Sequence, residues 1–143
     1  ICDACHQHNV GVTDAASEMG LFTTSEPKSN GLPDVAADPG IETLSGKPGD
    51  RGRFIVPSIR NLSVTAPYMH DGRFSDLDAV LQHYDDQMVA SPALEEPLAK
   101  DGAPRRMNMS AEDRAAVVAM LGVFTDEHFL ENPAFADPFS DTR

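Results

Sequence analysis

The chain has 143 residues, a length that suits one domain, with 41% hydrophobic residues and no Trp. It carries 23 acidic against 11 basic residues, for a net charge of −12. That balance argues against nucleic-acid binding, favours solubility and steering of a cationic partner, and no stretch approaches the ~18 apolar residues of a membrane span.

The chain opens on "ICDACHQHNV". Cys2 and Cys5 are its only cysteines, and His6 follows at once. A lone C-x-x-C could be a redox dithiol, half of a zinc site or a disulfide. A closed zinc site needs four ligands, and no second C-x-x-C or H-x-x-x-H pair exists. C-x-x-C-H is instead the attachment signature of a c-type haem. One helical turn sets both sulfurs under the vinyl edges of the porphyrin, and the next residue aims its imidazole at the iron. Cys2 and Cys5 are therefore expected to hold one covalent haem c, with His6 as proximal ligand. His8 reads as a surface or propionate-side residue. Covalent haem attachment is completed outside the bacterial cytoplasm, so a periplasmic, exported protein is expected. No signal peptide is visible, and a chain that begins one residue before its cysteine motif reads as a processed protein or a fragment.

Residues 9–52 carry Pro, Gly, Ser and Asp without steady periodicity, as in "SNGLPDVAADPG" and "SGKPGDRGR". These read as loops, in keeping with a small domain that wraps a large cofactor. "RGRFIVPSIRNLSV" has short apolar runs broken by Pro57, which allow an extended segment but no sheet. A first helix follows Ser75 in "SDLDAVLQHYDDQ". Ser75 is its expected cap, with Asp76 and Asp78 favoured by the dipole. Leu77, Val80, Leu81 and Tyr84 fall on one face. Residues 86–109 contain Pro92, Pro97, Gly102 and Pro104 and read as a loop. A second helix follows Ser110, with Val117, Met120, Leu121 and Phe124 as its inward stripe. The tail "ENPAFADPFSDTR" is broken by proline, and Phe135 and Phe139 are its candidate anchors.

The sixth position of the iron decides the chemistry. Met69 and His70 stand in "TAPYMHDGRF"; Tyr84 ends the first helix stripe, and His83 lies roughly a hundred degrees around from it. Periodicity favours Tyr84 over His83 as the inward residue, yet a core tyrosine with a satisfied hydroxyl explains that position equally. A loop methionine is the common sixth ligand of electron-carrying c cytochromes, so Met69 stays open.

Three stretches together, CDACH, "FIVPSIRNLSVTAPYMHDGRFSDLDAVLQHY" and "LGVFTDEHFLENPAFADPF", resemble the C-terminal haem domain of the bacterial dihaem cytochrome c peroxidases and MauG proteins. The resemblance implies a mainly α, cytochrome c-like fold with long irregular loops, and a single c-type haem domain over 1–143. The family's N-terminal haem domain is not in this chain and would be its first partner, beside a redox partner protein that serves as donor or substrate. In the peroxidases a methionine about fourteen residues beyond the histidine of the P-Y-x-H-x-G motif ligates this haem; in MauG a tyrosine stands there. Here the histidine is His70 and that place is Tyr84. The resemblance thus implies Tyr84 as the sixth ligand, with Met69 in the pocket wall. A phenolate is hard and anionic and favours ferric iron, whereas a thioether favours ferrous iron. The resemblance also implies Ca²⁺ on the backbone carbonyls of Thr65 and Pro67, and Arg60 near a haem propionate. A tight proline turn and a surface arginine paired with a carboxylate are the respective alternatives. The expected function is the electron-transfer domain of a MauG-like or peroxidase-like oxidoreductase. A stand-alone monohaem cytochrome c without catalysis is the alternative.

Overall fold

A computed structural model describes Cys2, Cys5, His6, Thr23, Thr24 and residues 26–33 and 37–138. His8 and Phe139 lie outside the described residues. Four α-helices run through them: α1 (Glu42–Ser45), α2 (Leu77–Gln82), α3 (Ala111–Gly122) and α4 (Glu127–Leu130). Short 3-10 turns at Pro48–Asp50, Leu62–Val64, Glu96–Leu98 and Pro133–Phe135 link the loops. Helices are the commonest regular elements, yet most of the described chain is turn and loop, so the mainly α expectation is met only in part.

The longest helix, α3, starts where the sequence puts it. The Ser110 hydroxyl accepts from the Asp113 N–H at 3.1 Å, and the Asp113 carboxylate accepts from the Ser110 N–H at 2.9 Å, a reciprocal capping box. Its stripe needs one correction. Leu121 is buried and Val117 and Phe124 are half-buried, but Met120 is 47% exposed. The start of α2 needs another. Asp76, not Ser75, is the cap: its carboxylate accepts from the Ala79 N–H at 2.9 Å, while the Ser75 hydroxyl donates to Asp76. A carboxylate is the stronger acceptor and also meets the positive end of the helix dipole.

Helices α2 and α3 pack together around the Tyr68, Leu77 and Leu121 cluster, with Ile59, Leu62, Phe74 and Val80 against it. Each such Leu contributes about 1.5–3 kcal/mol by leaving water. The Tyr68 hydroxyl donates to the Leu62 carbonyl at 2.8 Å, so its ring enters the core without an unpaired polar atom. Arg114 of α3 ties the two helices from outside through Asp78 of α2, at 2.8 Å.

The region 86–109, expected as plain loop, holds a two-residue hairpin, β1 (Ala99–Lys100) paired antiparallel with β2 (Ala103–Pro104). It is the one named sheet among the described residues. Elsewhere single bridges stitch the loops: Lys28 to Phe54, Ser29 to Leu94, Gly40 to Arg53 and Tyr68 to Phe74. In the tail, Phe135 stacks on Phe129 at 4.8 Å, but both rings stay half or more exposed.

Candidate functional site

The Cys2–His6 segment folds as the motif requires. The N–H groups of Cys5 and His6 both donate to the Cys2 carbonyl, at 3.1 and 2.8 Å, which closes one helical turn. Both thiols are free; Cys2 is exposed and Cys5 half-buried. The Cys5 thiol is pushed up by burial and by the Glu95 carboxylate, against a smaller opposing pull from Lys28. Glu95 is itself held by Arg53 at 2.7 Å and Lys28 at 3.6 Å.

At Tyr84 the sequence reading needs refinement. Helix α2 does not run on regularly; it opens into a π-turn over His83–Gln87. A π-turn takes in an extra residue and rotates the side chains beyond it, and such turns recur at functional sites. His83, which the stripe leaves out, is 1% exposed, the most enclosed large side chain described. Tyr84 is half-buried. Its phenol is pushed up to about 12 by burial; the Asn30 side chain pulls the other way, and Cys5 and Cys2 add to the rise. Tyr84 and the C-x-x-C-H turn together make up the candidate site.

His83 supports that site from behind. Its Nε2 meets the Asn30 carbonyl at 2.9 Å, and its ring contacts Phe74 and Tyr84 with centroids 5.6 and 5.3 Å apart. Burial holds His83 below the usual histidine range. A neutral ring with its proton on Nε2 donates to that carbonyl.

Met69 sits in the loop closed by the Tyr68–Phe74 bridge, at a left-handed φ of 72° that a side chain seldom adopts. Its sulfur accepts from Asn30 Nδ2 at 3.2 Å. The neighbouring His70 stacks flat on Phe54, with centroids 3.9 Å apart. Asn30 thus holds the Met69 sulfur through its amide and meets His83 through its carbonyl. Nothing in the sequence marks Asn30, an asparagine in a loop without periodicity, nor the ring of Lys28, Arg53 and Glu95 beside Cys5.

The other expected residues lie elsewhere. Arg60 is exposed, pairs with Asp126 at 3.4 Å and lines an open cleft of about 530 Å³ with residues 123–128. Thr65 and Pro67 are exposed on either side of a cis Ala66–Pro67 bond, and no described group donates to either carbonyl.

Two thiols and an imidazole on one turn form a donor set that fits a covalently attached haem. No helix among the described residues is long and apolar enough to cross a membrane. No family model matches the chain. It is 37% identical over 102 residues to the methylamine utilization protein MauG of Paracoccus denitrificans, which covers 58% of this chain and 24% of that protein. It is 27% identical over 143 residues to the cytochrome-c peroxidase IdrP2 of Denitromonas iodatirespirans, covering 88% of this chain and 36% of that one. A solved MauG-like protein associated with microbial copper homeostasis superposes with a TM-score of 0.69 at 29% identity, over 96% of this chain and 46% of its own. The chain thus fits the family of MauG and the dihaem cytochrome-c peroxidases. It spans less than half the length of these relatives.

Proposed function

We propose that this chain is the c-type haem electron-transfer domain of a MauG-like or cytochrome-c-peroxidase-like oxidoreductase of the periplasm. The observation that carries the reading is the C-x-x-C-H turn, closed by the Cys5 and His6 N–H groups on the Cys2 carbonyl, in a chain that fits the MauG and dihaem peroxidase family. Cys2 and Cys5 would hold the haem as thioethers, His6 would supply the proximal nitrogen and Tyr84 the sixth, oxygen donor. When bound, the haem supplies one-electron redox chemistry. The chain's own residues set its character. Tyr84 stands in the π-turn that follows α2, where its ring packs edge-on against the enclosed His83, and its oxygen must shed a tightly held proton to serve as an anionic donor. An anionic oxygen favours the ferric state and a low potential.

Electrons would pass between this haem, an N-terminal haem domain of the same protein and an external donor or substrate protein. The acidic surface suits a cationic redox partner. The carbonyls of Thr65 and Pro67, which no described donor uses, would contribute to a Ca²⁺ site. Arg60, paired with Asp126 at 3.4 Å and exposed, would reach a haem propionate with its remaining N–H donors.

The test is a haem count by mass on the native protein, followed by paired variants. Tyr84→Phe keeps the ring and removes the oxygen; it should shift the ferric haem toward high spin and raise its potential. Met69→Leu should leave the ferric spectrum nearly unchanged. The opposite pattern returns the protein to methionine ligation and the simple-carrier class.

A further inference from the structure

The sequence holds one Asn-Gly pair, Asn30–Gly31. Such a pair is chemically labile. A glycine carries no side chain beside its nitrogen, so that nitrogen approaches the preceding carboxamide with the least hindrance. The nitrogen loses its proton to solvent base, its electron pair closes a bond to Asn Cγ, and the C–N bond of the amide breaks to release ammonia. Water then opens the five-membered imide at either carbonyl. One product is Asp. The other is isoaspartate, whose main chain runs on through Cβ. No electrons are exchanged, and water is the one co-reactant.

Here the fold holds both reacting atoms. Asn30 is half-buried, between the buried Ser29 and Gly31. Its Nδ2 donates to the Met69 sulfur at 3.2 Å, which ties the carboxamide to a distant part of the chain. Its carbonyl meets Nε2 of the almost wholly enclosed His83 at 2.9 Å. A peptide unit is planar, so the bond that fixes the Asn30 carbonyl also fixes the Gly31 nitrogen in the same plane. Beyond it, the Gly31 carbonyl accepts from the Val89 N–H at 2.9 Å. Gly31 has a φ of 68°, and a Cβ there would stand 3.1 Å from Leu94 and Met88, so the chain is closely packed on that side as well. No described group accepts from the Gly31 N–H itself, so the nucleophile is restrained but not capped.

We propose that Asn30–Gly31 is a latent modification site, whose conversion to Asp and isoaspartate the fold holds off through the Met69 and His83 bonds and which reacts when this loop opens. Ring closure turns the peptide plane and swings Cγ over its nitrogen, so both bonds must break first. The change is one-way. A carboxylate only accepts, and so does a thioether, so Asp at this place cannot restore the bond to Met69. In isoaspartate the carbonyl that His83 uses becomes a free carboxylate. An opening of the loop can thus leave a permanent mark beside Met69. The inference does not depend on which atom meets the iron.

The experiment follows the holoprotein at mildly alkaline pH. Peptide mapping by mass counts Asp and isoaspartate at position 30, and a free peptide of residues 28–33 sets the unrestrained rate. The holoprotein should react at least about tenfold more slowly than the peptide, because only molecules with the loop open are reactive. Urea-unfolded protein should match the peptide. His83→Ala, which frees the peptide plane, should raise the rate of the folded protein several-fold. Met69→Leu, which frees the carboxamide and leaves the backbone bond in place, should raise it as well. A holoprotein rate equal to that of the peptide overturns the proposal. So does either variant if it keeps the parent's circular dichroism and reacts at the parent's rate. Where His83→Ala does not fold, Met69→Leu carries the test alone.

Discussion

His83→Ala tests how much of the site depends on one enclosed imidazole. The substitution removes the donor to the Asn30 carbonyl at 2.9 Å, in a place only 1% open to water. Leaving a buried acceptor unsatisfied costs about 1–3 kcal/mol. It also removes a ring in contact with Phe74 and Tyr84, and such ring pairs contribute about 0.5–1.5 kcal/mol each. Part of the gap will collapse, so the expected loss is about 2–4 kcal/mol. For a chain of this size that lowers the Tm by roughly 10 °C. Thermal unfolding of the holoprotein, followed by far-ultraviolet circular dichroism, measures it. His128→Ala is the control: His128 is exposed, and surface changes stay within about 0.5 kcal/mol. A His83→Ala shift no larger than that of His128→Ala would refute the claim that this bond organises the site.

Ser110→Ala breaks the capping box of α3 and should cost about 1 kcal/mol, read as a Tm lower by about 3–4 °C with an unchanged haem spectrum. The Arg114 guanidinium holds the Asp78 carboxyl below the usual range, so the ionised pair stabilises the fold above the ordinary Asp pKa. That contribution is lost as pH falls through about 4 and below, and Arg114→Met should flatten the acid limb of a stability-against-pH curve. Chelation of Ca²⁺ from the full-length native protein should perturb the haem spectrum or the coupling between haems; if neither changes, Thr65 and Pro67 are a proline turn and nothing more.

What the sequence could disclose depended on how local the physics was. The C-x-x-C-H turn and the Ser110 cap are set by residues within one turn of each other, and both fold as read. The one-residue error at Ser75 came from two adjacent side chains that can each cap, a choice made by acceptor strength and backbone angle. The reading of Tyr84 assumed 3.6 residues per turn throughout. The π-turn at His83–Gln87 breaks that periodicity, and His83, outside the predicted stripe, is the most enclosed side chain of the segment. Asn30 was invisible because its partners are 39 and 53 residues away, at Met69 and His83. No local pattern encodes a contact of that range.

A polar pin stands at this point of the fold for a physical reason. The apolar core on this side of the molecule is thin: three buried residues form the cluster between α2 and α3, and large side chains such as Val123 and Met120 remain in water. Burial of apolar surface holds elements together but is not directional, so it cannot by itself fix an oxygen or a sulfur at a chosen point. Hydrogen bonds weaken steeply when bent and therefore carry direction. The His83–Asn30 bond uses a strongly enclosed polar ring to orient a loop, and the Asn30 amide passes that orientation to Met69. A domain that gives much of its interior to a cofactor has few apolar contacts left for such work. Among the described residues no enclosed side-chain N or O lacks a partner, so the directional bonds around the site are complete. Substitutions that break the His83–Asn30 bond should accordingly loosen the loop around Asn30, whereas substitutions in the Tyr68–Leu77–Leu121 cluster should part α2 from α3.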